Sequence, residues 1–307
     1  MTTATLACPL CGGRLERAHG ARERWRLLSC AGCGHVVAPV AVSPAAAADA
    51  EALQQVHFGD AFVAGDDRWT RLIDRANARR VRRLLARAVS GRAHVLEVGP
   101  GHGALLVALV EAGFDVEGLE LSPAVAEMTR RRSGVPVAVG TLEDRAAVAA
   151  ARYDAVVARH VLEHMADPAG AVGALHRLLR PGGVAYVAVP NIGAPESTLA
   201  GWSGYQPYHL HYFTPPRLRA LFERGGFAVT RLHTREPFSG WVNAVVGSLR
   251  GGGTPDAPAS RPAGAVVSLY HVIRLGIGTV LAPLRLAQAC SGYGEEIELL
   301  ARKPGGV

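Results

Sequence analysis

The stretch Ala93-His94-Val95-Leu96-Glu97-Val98-Gly99-Pro100-Gly101-His102-Gly103 constrains this chain more than any other. An apolar run of strand length enters a turn with three glycines, and the apolar residues at 104–112 follow as a helix. Glycines in such a turn let the backbone come close to a ligand, and the helix start presents unpaired amides to it. A second strand at 115–120 ends in Glu120, about 20 residues beyond the glycines, where a carboxylate can accept hydrogen bonds from both hydroxyls of a ribose. The competing reading makes Glu120 a capping acid for the helix that starts at Ser122-Pro123. Glu97, at the end of the first strand, is a second acid beside the loop.

The chain has 307 residues, enough for one α/β domain of about 200 residues with small additions on each side. Its formal charge of +7 would suit a nucleic-acid or membrane partner. We discount it, because only Lys303 is a lysine and the arginines are scattered through a chain rich in Ala and Gly. The densest run, Arg79, Arg80, Arg82 and Arg83, reads as the solvated face of a helix over 70–88. The first residues lack a basic segment followed by a long apolar one, and no run reaches the ~18 apolar residues of a membrane span. Cytoplasm is therefore the expected compartment. Clustered cysteines there bind metal more often than each other.

Four of the five cysteines form the pairs Cys8-Pro9-Leu10-Cys11 and Cys30-Ala31-Gly32-Cys33, each followed by glycine. Two residues between cysteines let both sulfurs turn toward one ion, and the glycine frees the backbone for the tight turn. The pattern predicts a tetrahedral Zn2+ site on Cys8, Cys11, Cys30 and Cys33 in a module over 1–40, with residues 24–29 as a strand returning to the metal. Four thiolates leave no position for water, so the zinc is expected to be structural and to serve only its own module. An Ala/Pro linker and leading helix over 41–69 follow.

The segment 95–103 resembles motif I of the class I S-adenosylmethionine-dependent methyltransferases. Further landmarks follow in the family's order. Gly118-Leu119-Glu120-Leu121 is similar to its ribose-binding strand, and Gly140-Thr141-Leu142-Glu143 falls where the family encloses adenine. The run from Tyr153 through Arg159-His160-Val161-Leu162-Glu163-His164 to Asp167-Pro168 looks like its fourth strand and the loop after it. Leu179-Arg180-Pro181-Gly182-Gly183 and the apolar run to Pro190 resemble its fifth strand. His209-Leu210-His211-Tyr212-Phe213 and the helix after it resemble its acceptor loop and last helix. The resemblance implies a seven-stranded Rossmann-like sheet, mostly parallel with its last strand antiparallel, built from 70–237 and 293–307. It implies S-adenosylmethionine as cofactor, held by Glu97, Gly99, Gly101, Gly103, Glu120, Leu121, Thr141, Leu142 and Arg159. Within the fold the runner-up is a nicotinamide dehydrogenase, but its fingerprint is GxGxxG, and this loop is shorter.

Methyl transfer from a sulfonium needs alignment, exclusion of water and, for a hydroxyl or carbon acceptor, a base. The resemblance makes His209 the favoured base, followed by His164 and His160. The Asn/Asp-Pro-Pro-Tyr cradle of base-amine methylating enzymes is absent, since Arg159-His160-Val161-Leu162 stands in its place. That favours O- or C-methylation of a small-molecule, sugar or lipid-linked acceptor. The alternative is a zinc-ribbon RNA methyltransferase gripping phosphates with Arg14, Arg17, Arg22, Arg24 and Arg26. A third reading is a catalytically silent binding module. Residues 238–292 form an apolar insertion, read as a lid, a homodimer contact, or through 264–290 a surface on the inner face of a membrane. On a helical wheel His271, Arg274, Gly278, Arg285 and Gln288 share its polar side, and Pro283 should split the helix.

Overall fold

The computed structural model describes residues 6–42, 68–236, 240–254 and 276–305. Strands β1 (Leu15–Arg17), β2 (Leu28–Cys30) and β3 (Val36–Val37) and the one-turn helix α1 (Ala21–Arg24) make up the N-terminal module. Then α2 (Arg68–Ala88), β4 (His94–Val98), α3 (Ala104–Val110), β5 (Asp115–Glu120), α4 (Pro123–Ser133), β6 (Val137–Val139) and α5 (Leu142–Val148) alternate. They are followed by β7 (Tyr153–Arg159), α6 (Pro168–Leu178), β8 (Leu179–Pro190), β9 (His211–Tyr212), α7 (Pro215–Arg224) and β10 (Ala228–Arg235). Helices α8 (Gly240–Leu249) and α9 (Ala282–Cys290) precede the last strand, β11 (Glu296–Arg302).

Seven strands form one sheet in the order β10-β11-β8-β7-β4-β5-β6. The pairs β4·β5, β4·β7, β5·β6 and β7·β8 are parallel, while β11 runs antiparallel between β8 and β10. This is the expected sheet. Its strands are apolar on both sides because helices cover both faces. Neighbouring residues of one strand go to opposite layers: Leu96, Val156 and Val187 pack with α6 and α7 through Leu175, Leu178 and Phe222. Val95, Val157 and Tyr186 pack with α2 and α3 through Val81, Leu85, Leu106 and Leu109. The chain leaves β4 toward β5 and β6, then returns to lay β7 on the other side of β4. That reversal opens a crevice at the carboxyl ends of β4 and β7.

The arginine run on α2 departs from the sequence expectation. Arg80 is half-buried; it turns inward and pairs with Glu298, which is buried in β11. The ion pair explains how a buried strand tolerates that acid.

The N-terminal module is not a separate bead either. Its strands continue into the methyltransferase-like half, in the sheet order β1-β2-β3-β9. Val36 pairs with Tyr212 and Val37 with His211, both antiparallel. Trp25, Leu27 and Val36 share a core with Ile192, Trp202, Tyr205 and Tyr212, and Trp25 stacks on Tyr205 at 5.7 Å.

In the insertion, helical turns at 276–280 stop at Leu281, and α9 restarts with Pro283 in its first turn, so the proline splits the helix as its missing N–H requires. The polar side faces the protein. Arg285 donates to the Gly278 and Glu236 carbonyls at 3.0 and 2.8 Å, and Gln288 donates to the Glu196 and Glu236 carboxylates. The exposed apolar residues include Leu249, Val280, Leu284 and Leu286. His271 and Arg274, placed on the polar side by the wheel, lie outside the described residues, as does most of the 41–69 linker. Among the described residues no helix is long and apolar enough to cross a membrane.

Candidate active site

The glycine loop sits in the crevice. Gly99, Gly101 and Gly103 have φ of 64°, 51° and 77°, a left-handed backbone that L side chains rarely adopt. Gly103 is the N-cap of α3. A Cβ on Gly99 would stand 2.8 Å from Val161, so the loop after β7 closes directly on the loop after β4.

Glu97 is buried at the end of β4, and its Oε2 has no hydrogen-bond partner. Burial pushes its carboxyl up to about 8; the Arg159 charge opposes this and the Asp74 charge adds to it. A buried carboxylate with an idle oxygen is costly unless a cation or donor arrives. Glu120 ends β5 and accepts from Ser122 N at 3.1 Å; burial raises its pKa against that bond. Helix α4 already has its own cap, since Ser122 Oγ accepts from Val125 N. The capping role left to Glu120 is therefore secondary. Leu121 follows it, half-buried. Thr141 caps α5, accepting from Asp144 N at 3.1 Å, and Leu142 behind it is core. Arg159, at the end of β7, bonds Glu296 Oε1 at 3.2 Å. All nine sequence-derived cofactor residues thus lie at the carboxyl ends of β4, β5, β6 and β7 or in the loops just beyond.

The histidines come together on the far side of the crevice, where the loop after β7 meets the segment entering β9. Leu210 N donates to Glu163 O at 2.8 Å, and Ala38 N donates to Leu210 O at 2.9 Å. His160 has φ 53°, unusual for a residue with a side chain. Its Nδ1 meets Glu163 Oε1 at 3.2 Å and its Nε2 meets Glu296 Oε1 at 3.0 Å. Partial desolvation of this half-exposed ring opposes its charge, but the two carboxylates win and hold it at about 9. His164 is buried with Nδ1 3.0 Å from Tyr208 O. His209 is buried with Nδ1 2.8 Å from Gly204 O, and burial, reinforced by His164, lowers its pKa to about 3. The His164 and His209 rings meet edge to face at 4.9 Å. His211 turns away, its Nδ1 3.2 Å from Nε2 of His35 in the N-terminal module.

Sequence reasoning assigned no role to Glu163 or Glu296. Both are buried, and together they hold His160. A signal was present: three acids, Glu295, Glu296 and Glu298, crowd the start of a strand destined for the middle of a sheet.

The four cysteines cluster as expected. Cys8 and Cys33 Sγ are 3.8 Å apart, and Cys11 and Cys30 Sγ 3.5 Å. Gly12 and Gly34, just after each pair, have φ of 74° and 72°. Gly13 N donates to Cys11 Sγ and Cys33 N to Cys30 Sγ, both at 3.4 Å. A Cβ on Gly13 would be 2.9 Å from Cys30 Sγ. Converging sulfurs that also receive backbone N–H bonds fit a four-thiolate zinc site. A separate open cavity of about 420 Å³ lies beside this module, lined by Arg17, His19, Arg22 and Thr198 among others, away from the glycine loop.

A parallel sheet with one antiparallel strand, a left-handed glycine loop at its switch point and acids ending the first two strands defines the class I, Rossmann-like methyltransferase architecture. The chain belongs to the methyltransferase family: the profile described as "Methyltransferase domain" matches residues 69–232. Among curated proteins it is 33% identical over 143 residues to a ubiquinone biosynthesis O-methyltransferase of Xanthomonas axonopodis pv. citri, covering 43% of this chain and 60% of that protein. It is 34% identical over 120 residues to the ubiquinone biosynthesis O-methyltransferase of Pseudomonas aeruginosa, covering 38% and 52%. The chain thus matches less than two thirds of the length of either relative. A solved 1,6-didemethyltoxoflavin-N1-methyltransferase of Burkholderia thailandensis shares the fold at 18% identity and a TM-score of 0.53, covering 89% of this chain and 97% of its own.

Proposed function

We propose that the protein transfers a methyl group from S-adenosylmethionine to an oxygen or carbon of a small-molecule acceptor. One observation carries the reading: the left-handed glycine loop stands beside a buried Glu97 with an idle oxygen, at the sheet's switch point. The family match and the names of the curated relatives support it, and those names favour a hydroxyl acceptor over RNA.

Bound S-adenosylmethionine supplies a methyl group on a positively charged sulfur, already activated for displacement. The chain's own residues bind and align. In this reading Gly99, Gly101 and Gly103 let the backbone approach the cofactor, and Glu97 Oε2 accepts from its ammonium group. Glu120 takes the ribose hydroxyls, and Thr141 and Leu142 border the adenine. Arg159 holds Glu296, which with Glu163 holds His160. His160, held at about 9 by those carboxylates, keeps its proton at neutral pH and fixes the loop, which leaves His164 and His209 as the groups on the acceptor side that help release the acceptor's proton. The four thiolates would hold a structural Zn2+.

Two measurements test this. Calorimetry should give one bound S-adenosylmethionine per chain. Labelled methyl transfer should then appear with one of four acceptor classes: phenolic quinone precursors, sugar nucleotides, lipid-linked glycans or RNA. No cofactor binding would refute the proposal, and transfer to RNA alone would refute the small-molecule acceptor.

A further inference from the structure

Glu163, His164 and His209 each offer a ligand atom, all within 4.8 Å of one another, and all three residues are buried. They share no residue with the four-thiolate cluster. Each feature of the group points to a missing cation. Glu163 is fully buried; Oε1 is taken by His160, and Oε2 has no hydrogen-bond partner. His209 Nδ1 sits 2.8 Å from Gly204 O and His164 Nδ1 3.0 Å from Tyr208 O. A carbonyl oxygen can only accept, so each Nδ1 carries the hydrogen, which leaves Nε2 as the ring nitrogen that can ligate a cation. A backbone carbonyl or carboxylate on the far nitrogen is how proteins orient metal-binding imidazoles, and ligating carboxylates are themselves hydrogen-bonded, as Glu163 is by His160.

We propose that Glu163, His164 and His209 form a second metal site, a two-histidine, one-carboxylate seat for a divalent transition-metal ion on the acceptor side of the crevice. Two imidazoles and one carboxylate suit Zn2+, Mn2+ or Fe2+ better than Mg2+ or Ca2+. Ligand atoms on one tetrahedral ion stand about 3.4 Å apart. The group therefore closes by no more than about 1.4 Å on binding, which small side-chain rotations supply. Three protein ligands leave a position open. An acceptor hydroxyl in that position would lose its proton more readily, because the ion stabilises the oxyanion. The hydroxyl proton leaves to water, and the oxygen lone pair forms the new O–C bond. The S–C bond breaks with its electron pair going to sulfur, which becomes a neutral thioether. This role rests on the methyltransferase reading; the metal site does not.

The test uses the full-length chain with zinc in its thiolate cluster and cobalt(II) as the probe. Titration should load one further equivalent of cobalt, seen as weak d–d absorption without thiolate-to-metal charge transfer. Glu163→Gln and His209→Ala should each weaken that binding by about 100-fold or more, since changes even to outer partners cost 10–100-fold. Their circular dichroism should match the parent's. Absence of a second equivalent in the parent protein at tenfold excess overturns the site whatever the variants do. So does cobalt binding that persists unchanged in both folded variants. S-adenosylmethionine calorimetry on the same samples separates the two readings. Cobalt binding without cofactor binding would leave the metal site standing and remove methyl transfer. Cofactor binding without cobalt would do the reverse.

Discussion

Replacing Glu97 with glutamine should make the cofactor-free protein more stable, and increasingly so as pH rises. The acid's ordinary value of 4.5 becomes about 8 in the fold, chiefly through burial. Each pH unit is worth about 1.4 kcal/mol, so the fold prefers the neutral carboxyl by roughly 5 kcal/mol at most. Because the folded pKa is raised, this contribution is fully present below 4.5. It is lost progressively as pH rises through about 8. Glutamine keeps the shape and does not titrate. The melting temperature of Glu97→Gln should therefore match the parent's near pH 4.5 and exceed it above pH 8. At 2–4 °C for each kcal/mol in a domain of this size, the gap should reach about 10–20 °C. S-adenosylmethionine should reverse the order, since its ammonium compensates the buried charge. The parent should bind it more tightly as pH climbs toward about 8. The variant should lose roughly 1.5–3 kcal/mol of affinity, together with that pH dependence. Melting curves from pH 5 to 9 with and without cofactor decide it. A parent-to-variant difference that stays flat across that range, or equal cofactor affinity, refutes this account of Glu97.

Glu120→Ala should weaken S-adenosylmethionine binding by roughly 1.5–3 kcal/mol in calorimetry, the worth of charge-assisted hydrogen bonds to the ribose; unchanged affinity removes that role. Gly101→Val should abolish cofactor binding with the circular dichroism intact, because a branched side chain at φ 51° intrudes on the loop; normal binding would place the site elsewhere. Cys11→Ser should cost about one equivalent of zinc and increase hydrogen exchange at residues 204–212, with cofactor affinity held within about threefold. Exchange confined to residues 6–38 would mean the shared sheet does not couple the two halves.

The glycine loop and the acids beside it were legible in the sequence because their geometry is local. Glu97 and the three glycines sit within seven residues, and Glu120 ends the adjacent strand. The φ requirement that makes Gly99, Gly101 and Gly103 necessary is a property of single residues, so spacing alone exposes it. The cysteine knuckles were legible for the same reason. The histidine cluster was only partly so. His160 and His164 were visible as histidines, but what fixes them comes from far along the chain: Glu296 is 136 residues from His160, and Tyr208 is 44 from His164. Arg80 looks solvated in the sequence because its partner, Glu298, is brought beside it only when β11 inserts into the sheet. A charge pattern on one helix cannot reveal a countercharge more than two hundred residues away.

The zinc module illustrates what distance in sequence conceals. Read alone, residues 1–40 look self-sufficient, with a closed coordination shell and a short hairpin. In the fold, β3 lends its free edge to β9, and Leu210 joins Cys8, Leu15, Cys30 and Val37 in one apolar cluster. His35, two residues past the last thiolate, stacks on His211 at 5.4 Å, while Leu210 N bonds Glu163 O on the opposite side. The segment carrying His209 is therefore clamped between the zinc module and the loop after β7. A module of this size has too little core to hold such a strand unaided, so a metal on the thiolate cluster would stiffen the clamp. The strand that the module braces adjoins His209, whereas the glycine loop is built entirely from the other sheet, so a metal held by the four thiolates would be felt at the histidines before the glycine loop.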